Sequence, residues 1–392
     1  MEARTLKTVA EVRQDIPVLS KYIFLNAGTL SPAPEPVTQA FFNAYREWHE
    51  RGAGLPQHYV QMRDEAMEDI RRKMAAFVGC DPDEIAFTAN CTEGVDIVAN
   101  GLDWQPGDEV IITDKEHPAN SNVWMVLRMR RGIRVRIVAL TTDADELVRR
   151  VEAALSPRTR LVAVSHVCTV NGQILPVKEI CRLAAANGSL SLLDGAHAVG
   201  QIPVNVRDLG CDFYAMNGHK WLMGPAGTGA LYIKRDKLQQ VTPSWVGDVA
   251  GGSLDYREEG SYTFAPGAKR FEFATRCWPL YAGLGAALDY VNEIGIDVIR
   301  DRIRRLTAEF KRDLKTIPGM HLWSPEDEDQ SVGLVSFAID GWDGEELIRR
   351  LDAMGIRPRS LDNGIRVSIG YYTLAEELKA LSDALRAIVN GD

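Results

Sequence analysis

No run among the 392 residues approaches the roughly twenty consecutive apolar positions that a membrane-spanning helix needs. The amino terminus, with Glu2, Arg4 and Lys7, lacks the apolar stretch of a secretion signal. Cysteine is sparse: Cys80, Cys91, Cys168, Cys181, Cys211 and Cys277 form no CxxC pair and no metal-like grouping with the seven histidines. That excludes a disulfide framework or a zinc module and leaves free thiols in a reducing, cytoplasmic setting as the expectation. Positive charge is also in deficit. A net charge of −9 argues against nucleic acid and against an anionic membrane surface. One basic cluster, Arg128 to Arg136, alternates as a helix end running into a strand. Finally, no GxGxxG follows a first strand with an acid about 20 residues on, which removes the usual signal of a dinucleotide site.

What remains is an ordinary globular composition, 45% hydrophobic and 25% charged, in a chain long enough for two domains. Val60, Met67, Ile70, Met74 and Phe77 fall on one face of a helix that Gly79 ends. From residue 84 the pattern alternates: Ile85 to Thr88, a helix from Thr92, Val110 to Thr113, a helix after Pro118, Val135 to Val138, a helix from Asp143, and Leu161 to Val164. Such alternation predicts an α/β fold with a mostly parallel sheet between helices, and ligands at the carboxyl ends of the strands.

The stretch from Leu192 to Lys234 carries the chemistry. Ser191 to Asp194 is an apolar run ending on a carboxylate, and Cys211 to Met216 is another, ending in Asn217-Gly218-His219-Lys220. Two strand ends thus offer an acid and an amine to one ligand. The pair suits pyridoxal 5'-phosphate, because a lysine amine condenses with its aldehyde while a carboxylate keeps its ring nitrogen protonated. Lys220 is the candidate amine, Asp194 the nitrogen partner, and His197 is placed to meet the phenolic oxygen.

The sequence DGAHAVGQIPVNVRDLGCDFYAMNGHKWLMGPAGTGALY resembles the signature of class V, fold-type I pyridoxal phosphate enzymes: cysteine desulfurases, cystine and cysteine C–S lyases, and isopenicillin N epimerase-like proteins. The resemblance implies a mostly parallel seven-stranded sheet sandwiched by helices, with a smaller C-terminal α+β domain. The divisions it implies are residues 1–25 packing on the small domain, 26–280 as the large cofactor domain and 281–392 as the small one. It assigns the cofactor phosphate to the turn holding Cys91 and Thr92, a reading that competes with ordinary helix capping. It lays His117, in a Glu-His-Pro turn, flat on the cofactor ring, as a stacking group and possible proton relay, and it adds Asn217 and His219 beside the lysine. Thr275, in Lys269-Arg-Phe-Glu-Phe-Ala-Thr275, would reach the phosphate of a partner subunit's cofactor, so the resemblance implies a homodimer with shared sites. Arg366 would clamp the α-carboxylate of an amino-acid substrate, with Arg359 as a companion. Thr169 stands where desulfurases usually carry an asparagine, with Asn171 two residues on, so neither is assigned.

Sulfur-transferring desulfurases carry a nucleophilic cysteine between the two arginine segments. Here only Leu361-Asp-Asn-Gly364 fills the gap, and no cysteine follows Cys277. Gly101 to Glu109, Gly218 to Gly227 and Lys269 to Leu284 look closest to the C–S lyases, although His197 replaces the glutamine of many of them. The expected reaction is β-elimination from cystine, cysteine or an S-substituted L-cysteine, giving pyruvate, ammonia and a thiol or persulfide. Epimerisation or transamination would use the same residues.

Overall fold

The computed structural model describes residues 6–248, 252–255, 257, 260–361 and 363–391, with side chains except at 62 and 63. The middle of the glycine-rich stretch 246–252 and Asp362 lie outside the described residues.

Seven strands form the main sheet, in the spatial order Ile85–Thr88, Gly229–Ile233, Phe213–Asn217, Leu190–Asp194, Thr159–Ser165, Glu109–Thr113 and Arg134–Val138. The last five are mutually parallel, and Gly229–Ile233 is antiparallel to both its neighbours. Their sequences are nearly continuous apolar runs because helices cover both faces. Successive side chains alternate between two apolar clusters: Ile85, Phe87, Ile111 and Leu193 enter one, while Ala86, Val110, Ile112 and Leu192 enter the other. Arg134–Val138 ends the sheet and is largely exposed, which accounts for its arginines. The basic cluster is, as expected, the end of the helix Asn122–Arg131 and this edge strand.

The helix expected over 60–78 is broken. Pro56–Val60 is α-helical, Gln61–Ala66 winds as a π-helix, and Met67–Val78 resumes the α form before Gly79 caps it in the left-handed region. The wider turn rotates the two pieces out of phase. Met67, Ile70 and Met74 are buried, but Val60 is 45% exposed, so it does not share their face.

A four-stranded antiparallel sheet, Met320–Leu322, Leu334–Ile339, Gly364–Ser368 and Arg359–Leu361 in spatial order, carries a third apolar cluster. That cluster takes in Leu25 and, within the helix Ile296–Leu314, the residues from Leu306 on, whereas the helix Pro279–Ile294 packs into the main core. The helix Ile296–Leu314 thus contributes to both clusters, Ile299 and Ile303 to the main core and Leu306, Phe310 and Leu314 to the third. The amino-terminal segment bridges both parts. Val12, Ile16 and Leu19 join the main core, while Ile23–Phe24 pairs in parallel with Ile356–Arg357 and Arg13 donates to Glu377 at 2.8 Å.

A buried ion pair ties the first strand down. Arg71, 2% exposed, donates to Glu272 at 2.5 Å, and Glu272 also accepts from the Phe87 N–H at 2.7 Å. The helix Met67–Val78, the strand Ile85–Thr88 and the segment Lys269 to Thr275 meet on this one carboxylate.

Candidate active site

Five parallel strands and the similarly directed Ile85–Thr88 end at one edge, so the turns after Thr88, Thr113, Ser165, Asp194 and Asn217 converge there. Asp194 lies in register between Ser165 and Ala215. Its Oδ1 accepts from the Ala196 N–H at 2.9 Å and from the Cys91 thiol at 3.1 Å, while no hydrogen bond among the described residues reaches Oδ2. Burial, followed by the charge of Asp194, pushes the Cys91 thiol well above its ordinary pKa, so it stays protonated and donates. Gly195 lets the chain turn here: a Cβ on it would sit 2.0 Å from the Tyr214 ring.

Lys220 occupies a tight loop. Gly218 donates to Thr228 O at 2.8 Å, Gly224 to Gly218 O at 2.8 Å and Met223 to Lys220 O at 2.9 Å. Met223 has φ of 59°, an uncommon backbone for a side-chain-bearing residue. Gly218 is required, since a Cβ would lie 2.2 Å from Thr228 Oγ1. Lys220 is 8% exposed, and its amine lies 3.1 Å from His197 Nε2. Burial lowers its pKa, against the opposing pull of Asp194. His197 is held well below its usual range, first by burial and then by Lys220. The Trp221 indole N–H, which only donates, reaches His197 Nδ1 at 3.3 Å. A neutral imidazole accepting there carries its proton on Nε2, facing both Lys220 and Thr169 Oγ1, the latter at 3.1 Å.

Arg366 arrives from the small domain. Its Nη1 donates to Thr169 O at 3.1 Å and Oγ1 at 3.2 Å, and its Nη2 to Thr29 Oγ1 at 3.3 Å, while the buried Nε has no partner among the described residues. Burial and the neighbouring Arg359 lower its pKa to about 10, which leaves it cationic at neutral pH. Arg359 pairs with Arg366 across the hairpin, is exposed, and donates to the same Thr29 hydroxyl at 2.9 Å.

The turn at Thr88 starts the helix Cys91–Gly101, capped by Asn90, whose side chain accepts from the Glu93 N–H at 2.9 Å. Thr92 is exposed on its first turn. Cys91 instead faces inward: its N–H goes to Asn217 Oδ1 at 2.8 Å and its thiol to Asp194. Cys91 and Asn217 thus brace the acid and the helix start. His117 is exposed at the crevice, with Nδ1 accepting from the Ala119 N–H at 3.1 Å, and burial followed by Lys220 lowers its pKa. His219 is half-buried beside the lysine and is lowered in the same way, with its carbonyl accepting from Ser31 at 3.0 Å. Thr275 is exposed near that helix start, where Arg276 bonds Glu93 at 2.7 Å.

Three contributors escape a reading of the sequence. Glu116 accepts from the Ser165 hydroxyl at 2.6 Å, Thr113 at 2.7 Å and Asn120 at 2.9 Å, and so anchors the turn that presents His117. Burial raises its carboxyl pKa. Trp221 fixes the His197 tautomer, and Thr29 joins the two arginines. Only Glu116 leaves a signal, as the carboxylate in the Glu-His-Pro turn.

The donor set fits pyridoxal 5'-phosphate: a buried amine of lowered pKa, an acid with one free oxygen, and a helix start carrying Thr92. Lys220, Asp194, His197 and His117 would hold the ring, and Thr92 the phosphate. Among the described residues no group of histidine, cysteine and carboxylate side chains suits a metal ion.

Known proteins align along most of the chain. A probable cysteine desulfurase of Methanothermobacter thermautotrophicus is 34% identical over 395 residues, covering 96% of this chain and 97% of its own. The isopenicillin N epimerase of Streptomyces clavuligerus is 31% identical, covering 93% and 94%. Among solved structures, the cystine C–S lyase C-DES in complex with its product cysteine persulfide is 32% identical with a TM-score of 0.87, covering 95% and 99%. A C-DES mutant carries glycine covalently linked to its pyridoxal phosphate cofactor, at 31% identity and a TM-score of 0.88, covering 95% and 98%. The class-V aminotransferase pattern matches residues 22–381. With that match over most of its length, this chain belongs to the class-V aminotransferase family.

Proposed function

We propose that the protein is a pyridoxal phosphate-dependent C–S lyase. Its reaction is β-elimination: cystine, cysteine or an S-substituted L-cysteine, with water, gives pyruvate, ammonia and a persulfide or thiol. The observation that carries this reading is the hairpin of Arg359–Leu361 and Gly364–Ser368. Leu361 pairs directly with Gly364, so two residues separate the strands and leave no room for a cysteine-bearing loop. Cys277 is the last cysteine of the chain.

Bound at this site, pyridoxal phosphate supplies an aldehyde for the substrate amine and a ring that withdraws electrons from Cα. The protein's part is positional and acid–base. Arg366 fixes the substrate carboxylate through charge-assisted hydrogen bonds. Lys220, favoured as a neutral amine by burial, would take the Cα proton. The Nε2–H of His197 would donate to the phenolic oxygen of the cofactor, and Asp194 would keep its ring nitrogen protonated. The Cβ–S bond breaks with its electron pair leaving on sulfur, so a persulfide anion or a stabilised thiolate departs most readily.

We further read the protein as a cytoplasmic homodimer in which Thr275 serves the partner's cofactor. Phe42, Tyr45, Trp245 and Val246, exposed large apolar residues of the single chain, support that association. The likeness to isopenicillin N epimerase keeps a second reading, epimerase or aminotransferase, which the product distinguishes. Pyruvate and thiol release from L-cystine and S-substituted L-cysteines, absent in Lys220→Ala, tests the lyase. A holoenzyme that returns inverted amino acid or an oxo acid instead supports the alternative.

A further inference from the structure

A cavity of about 490 Å³, which the chemistry above does not use, is lined by residues that adjoin the site in sequence. Its floor comes from carboxyl-end turns of the main sheet, and those after Thr113 and Ser165 also serve the site. Lys115 comes two residues before His117, Leu140 and Thr141 follow the strand Arg134–Val138, and Val170 directly follows Thr169. Trp323 and Leu361 of the small domain face them. The walls are fixed by their backbones: Gln173 donates to Thr141 O at 2.7 Å, Ser336 to Val170 O at 2.5 Å and Trp323 N–H to Ser336 O at 2.8 Å.

Position and lining indicate what enters. Thr169 anchors Arg366, and the next residue, about 3.8 Å away along the chain, already lines the cavity. A substrate whose carboxylate sits on Arg366 therefore has its remaining substituents within reach of this space. Leu140, Val170, Leu361 and Trp323 give apolar walls, with an indole for stacking. No carboxylate is among the described lining residues, and Lys115 stands at the exposed rim. The volume falls in the range of pockets that enclose small organic groups.

We propose that this cavity is the subsite for the sulfur substituent of an S-conjugated L-cysteine, and that it takes a neutral aromatic group. The assignment rests on the C–S lyase reading for its substrate class, and the two are tested apart. The probes are 3-(benzylthio)propanoate and 3-(methylthio)propanoate, which keep the carboxylate and the sulfur substituent but lack the amine and cannot react. Calorimetric titration of the holoenzyme should show the benzyl compound binding at least about tenfold tighter, equivalent to about 1.4 kcal/mol. Trp323→Ala, which removes the stacking wall, and Leu361→Trp, which fills the space, should each erase that preference while leaving the methyl compound within about twofold. Equal binding of both probes to the wild type, or a preference that survives both substitutions, overturns the subsite. Pyruvate release is measured in parallel. Turnover of S-methyl-L-cysteine without probe discrimination sinks the subsite alone, whereas discrimination without pyruvate from any conjugate sinks the lyase and leaves the cavity as an aromatic-binding site.

Discussion

Lys220 Nζ and His197 Nε2 lie 3.1 Å apart at the ends of two neighbouring strands, and Trp221 holds the far side of the imidazole. The imidazole therefore presents a proton, and the buried amine a lone pair, to the same small space. Lys220→Ala removes both the attachment point and the base. The expected result is loss of at least about 10³ in kcat, in line with the upper range for a general base. Borohydride reduction followed by peptide mapping should place the cofactor on Lys220 in the wild type and nowhere in the variant.

The Arg366 guanidinium is held by Thr169 and Thr29, with Nε left without a partner among the described residues. Lysine retains the charge but loses the planar fork. Arg366→Lys should therefore lower kcat/KM by about 10- to 100-fold, the range of one hydrogen bond to a charged group, with the larger part in KM. A change confined to kcat would assign Arg366 to something other than carboxylate binding.

Much of this site is legible in the sequence because Asp194 and Lys220 each end an apolar run that has to be a buried strand. Their meeting follows from the two strands being sheet neighbours. What local sequence does not carry is pairing over distance. Nothing in Ile85 to Thr88 indicates that its partner is Gly229–Ile233, inserted antiparallel beside Phe213–Asn217. The turn holding Cys91 is legible as a helix start, but the inward direction of its thiol is set by Asp194 and Asn217, more than 100 residues away. The π-helical stretch at Gln61–Ala66 hides for the opposite reason. Its apolar spacing suits an α-helix locally, and only the burial of Met67 beside the exposed Val60 reveals the change of phase.

His166 is buried with Nδ1 2.8 Å from the Tyr214 hydroxyl, and burial lowers its pKa to about 4. A histidine in an unfolded chain titrates near 6.5. Above that pH both states are neutral and the shift contributes nothing. Between about 6.5 and 4 the unfolded chain binds a proton that the fold refuses, so stability falls as the pH drops, by about 1.4 kcal/mol per unit. His166→Asn removes this titration. Urea unfolding at pH 7 and pH 5 should show the wild type losing about 2 kcal/mol more than the variant over that interval. Parallel losses in the two proteins would show that His166 is protonated in the fold.

Glu272 accepts from both Arg71 and the Phe87 N–H while 1% exposed, and Arg71 also donates to Ile85 O at 2.7 Å. Truncating Glu272 leaves the Phe87 N–H without its acceptor and the buried Arg71 cation with only Glu68 and the Ile85 carbonyl to answer it. Glu272→Ala should lower unfolding stability by about 3–5 kcal/mol. The double variant Arg71→Met/Glu272→Met removes both charges and should recover a substantial part of that loss, because the penalty lies in the stranded cation more than in the missing attraction. Chemical denaturation of the wild type and both variants measures the difference. Equal loss in the single and double variants would mean that the carboxylate serves chiefly to hold Phe87 and the first strand, with Arg71 a minor partner.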